Sequence, residues 1–347
     1  MAVGEIGLLE GFDRYSSITG EGSGLFSSWI SVGGFGNDSS LIPGRFGFRA
    51  FRIVCTFGTF GGYRTVPASN LCAYGFGLIA LNPVSSFNPA NSRQYLADVN
   101  GYKLLDLRFN NDGTYSVYTT NGTVEVFRSE PVFNYNVWEH FAFEFECSAT
   151  QGRIKHFYRG EFIFELSGIN TKGASLTGEV RRFYIMTAAD VNLGFDDILY
   201  FYGGGTWPGE CKLAPMTEIA DAGVQFTRLS GAANFEMIDE LQIDLGTTYN
   251  YSETVGHEDL FELQNMVDTP DRIFGLQVTL VARKDDAGTR VVNPVMEVNG
   301  VKHLMDDCYL TSSYVIFRQA RKLNQNTNQE YTKSDIDGMK LGYRITQ

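Results

Sequence analysis

Trp138-Glu139-His140-Phe141-Ala142-Phe143-Glu144-Phe145-Glu146-Cys147 alternates with a period of two along its length. Phe141, Phe143, Phe145 and Cys147 fall on one side, and Trp138, His140, Ala142, Glu144 and Glu146 on the other. Successive side chains leave a pleated backbone on opposite faces, so this pattern belongs to a strand. The aromatic side is predicted to be buried and the polar side wetted.

The neighbouring sequence repeats the signal. Gln151-Gly152 turns the chain into residues 153–158, and Arg159-Gly160 turns it again into 161–166. Upstream, Asn110-Asn111-Asp112-Gly113 and Asn121-Gly122 are hairpin turns joining 102–109, 114–119 and 123–127 into a meander. Residues 45–57 (RFGFRAFRIVCTF) and 74–81 (YGFGLIAL) also read as strands, with an Asn, Pro and Ser-rich loop after the second. Segments 182–187 and 193–202 complete this half, and no long helix is expected before residue 206. The 27 Phe, 18 Tyr and 38 Gly suit half-buried pleats joined by positive-φ turns. The fold class expected is all-β.

A chain of 347 residues exceeds one comfortable core, so two domains are expected. Gly203-Gly204-Gly205-Thr206-Trp207-Pro208-Gly209 reads as the linker, because glycines free the backbone and proline stops a ladder. The N-terminal domain is then 1–205 and the C-terminal domain 206–347. In the latter, 273–284 and 290–298 are strands joined by Asp285-Asp286-Ala287-Gly288, and Asn299-Gly300 leads into 301–305. A further strand lies within 309–321. Thr332-Lys333-Ser334-Asp335 caps a helical turn that Gly338 ends, and 339–346 is a closing strand.

The formal charge of −12 argues against a nucleic-acid partner, which needs a basic patch. Cys55, Cys72, Cys147, Cys211 and Cys308 form no CxxC pair, as in a chain folded in a reducing cytosol. The opening MAVGEIGLLEGFDRY has no basic stretch followed by an apolar run, so no signal peptide is expected. No apolar stretch approaches the ~20 residues that cross a bilayer, and no membrane insertion is expected.

Two sets of segments carry family resemblances. The strand at Trp138, the hairpin at Gly152 and the late Gly194-Phe195-Asp196-Asp197-Ile198-Leu199-Tyr200 resemble a concanavalin-like (laminin-G-like) jelly-roll sandwich. Beyond residue 203 the chain more specifically resembles head- or tail-associated virion proteins of tailed bacteriophages. That likeness rests on Gly209-Glu210, Gly231 to Asn234, Asp239-Glu240, Thr247-Thr248-Tyr249, Gly256, Asp259 and Phe261. It continues through Gln277-Val278, Ala282-Arg283-Lys284 and Ala287-Gly288-Thr289-Arg290, and Gly246 stands where relatives often carry Asp. The resemblance implies a C-terminal β-sandwich used in assembly, and a virion location after folding in the host cytoplasm. Its implied partners are capsid, portal or adaptor, and tail proteins, further copies of itself as a homo-oligomer, and host surface glycans.

Candidate chemistry is sparse. Glycan hydrolysis needs two carboxylates across the scissile bond. Glu144 and Glu146 share a face, but Ser148 breaks a Glu-x-Asp-x-Glu series, and Glu236 and Glu240 flank Ile238 rather than Asp. His140, His156, His257 and His303 accompany no Gly-x-Ser-x-Gly elbow. No catalytic residue and no cofactor are assigned. Asn110, Asn111 and Asp112 offer oxygens to calcium or simply make a turn, while Asp196 and Asp197 hold loop backbone or an ion. Tyr63, Tyr74, Tyr102, Tyr115 and Tyr118 are the aromatic candidates for a glycan face. Asp239, Glu240 and Asp244, with Thr247, Thr248 and Tyr249, and with Arg283, Lys284 and Arg290, are read as loop-bracing or inter-subunit residues. The expected function is structural: a capsid-, collar- or tail-attached decoration or fibre-like virion protein that is not an enzyme. The alternative is a free lectin or glycanase.

Overall fold

Alternation builds fifteen strands up to Tyr202 among the described residues of the computed structural model. These residues are 5–10, 30–31, 40–45, 49–55, 59–81, 92–110, 112–132, 134, 136–188, 191–240 and 245–347. Asn111, Asp244, the loop 82–91 and parts of 45–57 lie outside them. The strands are β1 (Glu5–Glu10), β2 (Ile30–Ser31), β3 (Ser40–Pro43), β4 (Arg49–Cys55) and β5 (Thr59–Ser69). Next come β6 (Leu71–Ala80), β7 (Arg93–Ala97), β8 (Lys103–Phe109), β9 (Tyr115–Thr119) and β10 (Val124–Arg128). The series ends with β11 (Trp138–Glu146), β12 (Gly152–Tyr158), β13 (Glu161–Ile169), β14 (Val180–Ala188) and β15 (Val191–Tyr202).

They pair antiparallel into two sheets. One has the order β13-β12-β11-β6-β15-β4-β3, with β1 added beside β15; the other is β10-β9-β8-β7-β14-β5-β2. The quoted strand β11 lies between β6 and β12, where both its ladders are occupied. Its Phe side faces the second sheet. Ring centroids of Phe141 lie 5.2 Å from Tyr115 and 5.7 Å from Phe109, and Tyr74 lies 6.0 Å from Phe183. Full burial of each such ring is worth roughly 1.5–3 kcal/mol, so the Phe face fixes which way β11 turns. The architecture is an all-β sandwich.

His156 belongs to this core. Tyr115 Oη donates to its Nε2 at 2.7 Å, and its Nδ1 donates to the Ala142 carbonyl at 3.0 Å. Burial holds its pKa down at about 3.

The polar side of β11 departs from expectation. His140, Ala142 and Glu144 are buried rather than wetted. The cover is the segment after β15, read in the sequence as a linker. Trp207 lies over Gly75 of β6, where a Cβ would stand 2.4 Å from its Cη2 atom. Its backbone N–H donates to Glu144 Oε1 at 3.0 Å, and Arg153 pairs with the other oxygen at 3.1 Å. Arg45 stands above Gly77 and pairs with Glu210. Glu144 is thus an anchor for the strap. Accordingly the chain divides into two compact units, and among the described residues the break falls after Leu213 rather than after Gly205.

The second unit has β16 (Glu218–Gly223), β17 (Thr227–Arg228), β18 (Asn250–Tyr251), β19 (Glu258–Leu263), β20 (Leu276–Ala282) and β21 (Val291–Val298). It continues with β22 (Val301–Leu304), β23 (Cys308–Tyr309), β24 (Val315–Arg321), helix α1 (Lys333–Asp337) and β25 (Lys340–Ile345). Six strands make one sheet, β16-β19-β25-β21-β22 with β23 beside β21; β17-β18 and β20-β24 are separate two-stranded ribbons. Helix α1 has the expected Thr332 cap, in a capping box with Asp335, and stops at Gly338. Leu263, Met296, Val298, Tyr331, Ile336 and Met339 form its core.

Gly75→Ala should overpack the strap at a cost of about 1–3 kcal/mol. A lowered urea midpoint with red-shifted tryptophan emission is the expected result. An unchanged midpoint would mean that Trp207 does not depend on this gap.

Candidate functional site

Register in the seven-stranded sheet lines up one residue from each of six strands on its outer face. Tyr63 of β5 pairs with Tyr184 of β14, and Tyr184 with Tyr95 of β7. Tyr95 pairs with Asp106 of β8, Asp106 with Tyr118 of β9, and Tyr118 with Glu125 of β10. At ~4.8 Å between neighbouring strands, this continuous row spans roughly 24 Å.

Contacts follow the register. Tyr95 and Tyr184 stack at 4.3 Å between centroids, and Tyr63 leans on Tyr184 at 4.8 Å. The first two are 7% and 6% exposed and form the floor, whereas Tyr63 and Tyr118 are half-buried and Glu125 is exposed. Tyr118 Oη donates to Glu125 Oε2 at 2.5 Å, a bond that raises the phenol pKa. Burial, then the neighbouring Tyr184, raises that of Tyr95. Asp106 is fully buried, and Arg108 Nε and Nη2 donate to its Oδ2 at 3.0 and 2.8 Å. Arg93 stands 3.6 Å from the same oxygen.

Of the five tyrosines singled out in the sequence, Tyr63 and Tyr118 lie in this row. Tyr74 and Tyr115 do not: both are core residues on the inner faces of their sheets. Tyr115 is three residues from Tyr118, and an odd spacing along a strand reverses the face. Tyr102 sits apart, where its hydroxyl accepts the Ala174 N–H at 2.9 Å. Tyr95 and Tyr184 went unnoticed, although a signal was present. In RQYLA and VRRFYIM, Arg93, Tyr95, Arg182 and Tyr184 alternate with the apolar Leu96, Phe183 and Ile185.

The proposed ion ligands hold backbone instead. Asp112 Oδ1 accepts from the Thr114 N–H at 3.1 Å and hydroxyl at 2.6 Å, and Oδ2 accepts from Arg128 at 2.7 Å. The Thr114 bonds first, then Arg128, lower its pKa to about 2. Asp196 accepts the Arg45 N–H at 2.8 Å and the Asp197 N–H at 2.9 Å, while Asp197 accepts the Leu213 N–H at 3.0 Å. Burial still pushes Asp197 up to about 6, against the pull of that N–H and of Arg45. Among the described residues no three His, Cys, Asp or Glu side chains are grouped to hold a metal ion.

In the second unit, the residues behind the sequence resemblance converge. Asp259, fully buried, accepts the Gln225 and Phe226 N–H groups at 2.6 and 2.9 Å through Oδ1, and the Asn234 amide at 2.9 Å through Oδ2. Asn250 donates to the Asn234 carbonyl and to Tyr343 Oη, each at 2.9 Å. Thr248 donates to Glu240 at 2.6 Å, Tyr249 accepts the Leu229 N–H at 3.0 Å, and Thr247 precedes them in the same turn. The basic residues serve the connection between β20 and β21, which lie in different sheets and form no hairpin with each other. Arg290 pairs with Asp286 at 2.6 Å, Lys284 donates to the Gly288 carbonyl, and Arg283 lies 4.8 Å from the Tyr314 ring centre. Asp239 and Glu240 instead crowd Glu218, whose pKa burial, then their charges, push up to about 7.

No protein-family model matches the chain, and no curated protein matches it. Among solved structures, the chain is similar to a sialidase at 13% identity, covering 58% of this chain and 19% of that one, with a TM-score of 0.42. It is also similar to the cellulose-induced protein Cip1 at 15% identity, covering 51% of this chain and 93% of that one, with a TM-score of 0.38. Lectin II from Ulex europaeus aligns at 11% identity over 56% of this chain and 97% of its own, with a TM-score of 0.37. This chain therefore spans about a fifth of the sialidase. Scores at this level leave the fold to be read from the sheets themselves.

The Glu218 shift gives a pH dependence with a definite sign. Its folded pKa of about 7 lies above the unfolded value of 4.5, so the folded state holds the extra proton between them. This contribution to stability is complete below pH 4.5 and is lost as pH rises through 7. The protection factors of second-unit amides, with the intrinsic rise of exchange with pH divided out, should therefore fall across that window, and Glu218→Gln should flatten the fall. An identical profile in the variant would assign the dependence elsewhere.

Proposed function

We propose that the first unit binds glycans along the row from Tyr63 to Glu125. The observation that carries this reading is the register itself, which brings four tyrosines and two carboxylates onto one outer face. A tyrosine offers an apolar ring edge and a polar tip, matching a sugar's C–H face and its hydroxyls. Arg93 and Arg108, fixed by the buried Asp106, supply directional donors for those hydroxyls, and Glu125 at the exposed end supplies acceptors. No bond-breaking role is proposed, because Glu144 is committed to Trp207 and Arg153.

Binding to a glycan array, quantified by calorimetry, tests this directly. Tyr63→Ala combined with Tyr118→Ala should weaken any glycan bound by wild type by roughly tenfold or more while leaving the urea midpoint nearly unchanged. A protein that binds no glycan on a broad array would remove this reading.

We further propose that the chain is a virion component, with the second unit as the part that meets other particle proteins or further copies of itself. Two things support it: the sequence resemblance beyond residue 203, and the meeting of Asn234, Asn250 and Asp259 in one buried network. Quantitative mass spectrometry of purified particles should then find the chain at a fixed copy number. Its absence from particles would discard the assignment.

A further inference from the structure

The ring faces of the tyrosine row are already occupied. Arg182 lies 4.7 Å from the Tyr63 ring centre, Lys103 lies 5.1 Å from that of Tyr95, and Arg108 lies 3.9 Å from that of Tyr118. A neutral sugar that binds by stacking needs bare ring faces. Here cations cover three of the four rings, held there by the attraction between a positive charge and a π face.

Their arrangement adds a second observation. Arg182 of β14 and Lys103 of β8 are both register partners of Ala97 on the strand between them. Two long cationic side chains therefore flank one small residue, itself fully buried in a cluster with Tyr95, Tyr184 and Met186. Neither makes an ion pair with a carboxylate among the described residues. Arg182 gives one N–H to Tyr184 Oη at 3.2 Å. Asp98, next to Ala97 in sequence, makes no ion pair with them and acts on Arg182 through its charge alone. Its Oδ1 accepts the Asn100 and Tyr102 N–H groups, and its Oδ2 accepts the Ser175 hydroxyl.

On the other side of the tyrosine row, Arg93 pairs in register with Arg108, and Ser116 pairs with both Arg108 and Arg128. Their carboxylate partners are Asp106 and, for the half-exposed Arg128, Asp112. The face thus gathers five cations on a chain whose formal charge is −12. The crowding has an electrostatic trace: the Lys103 ammonium is held below its ordinary pKa by burial first, with Arg93 and Arg108 adding to it against Asp106.

We infer that the glycan taken by this face is an acidic one, whose carboxylate or sulfate pairs with Arg182 and Lys103 above the tyrosine row. This inference rests on the glycan-binding reading and narrows it. A carboxylate or sulfate presents the geometry that a guanidinium fork pairs with, and the Lys103 ammonium, which makes no ion pair of its own among the described residues, adds to the neutralisation. The sugar rings then run along the tyrosine row, contacting ring edges and hydroxyls.

The full chain should be tested on an array of matched pairs: oligogalacturonides against their methyl esters, sialylated against desialylated glycans, and sulfated against unsulfated ones. The charged member of a pair should bind roughly tenfold or more tightly than its neutral partner, as one charge-assisted hydrogen bond allows. Added NaCl should erode that preference. Arg182→Gln with Lys103→Gln should bring the charged member down to the level of its neutral partner, and Arg182→Lys should retain part of the preference. The salt titration uses the wild-type protein, so it decides the matter even if the double variant fails to fold. The uronate, sialate and sulfate pairs separate the sources of the anion. Equal affinity within every pair would overturn the acidic-glycan inference and leave glycan binding standing. Binding to no glycan would overturn both. Single-stranded DNA bound as tightly through the same two residues would overturn the assignment in favour of a nucleic-acid surface.

Discussion

Register in the seven-stranded sheet settles two surfaces at once. A strand has a side-chain period of two, so aligning Phe183, Tyr115 and Phe109 with the core necessarily sends Tyr184, Ser116 and Arg108 outward. A slip of one residue would put Asp106, Arg93 and Arg182 among the phenylalanines of β6 and β11, and those charges could not be paired there at tolerable cost. The core contacts between Phe141 and Tyr115 and between Tyr74 and Phe183 therefore hold the outer row in line without touching it. Where the buried side is this aromatic, the exposed side inherits its order.

The second unit solves a different problem. Loops after β16 and before β19 carry backbone N–H groups that no ladder satisfies, and a buried unpaired amide is costly. Asp259 gathers two of them, and Asn234 and Asn250 link the turn at Gly231 to Tyr343 of β25. The Thr-Thr-Tyr-Asn stretch matters here chiefly through Asn250. A side chain with both donor and acceptor can join loops that backbone geometry alone leaves apart.

Much of this was legible in the sequence, and the misses have physical causes. Trp138 to Cys147, the Asn-Gly turns and the Thr332 cap are local signals, and each local element formed as read. The polar face of β11 was misread because Glu and His at alternate positions look solvated until the chain that covers them is known. That cover comes from Trp207, sixty-three residues beyond Glu144 in sequence. The Gly-rich run at 203–209 suggested freedom, whereas Gly75 and Gly77 on β6 had made room for a close approach. The tyrosines were harder. Tyr63, Tyr74, Tyr95, Tyr102, Tyr115, Tyr118 and Tyr184 share one chemistry, and only cross-strand register separates a core ring from an outer one. Similarly, acidic Asp239 and Glu240 and basic Arg283, Lys284 and Arg290 suggest mutual attraction by sign alone, yet each set is used close to home.

The strap that ends at Leu213 gives the sandwich a sidedness. Its eight-stranded sheet is roofed by Trp207, and the carboxylates of Glu144 and Asp197 are tied to that roof through the Trp207 and Leu213 amides. A fragment cut at the glycine run would keep every strand of both sheets yet uncover a shallow glycine track lined by His140 and Ala142, with Glu144 and Asp197 each short of an amide. The natural end of the module is therefore set by its covering rather than by its last strand, and a graft of this sandwich onto another protein should carry the chain through Leu213.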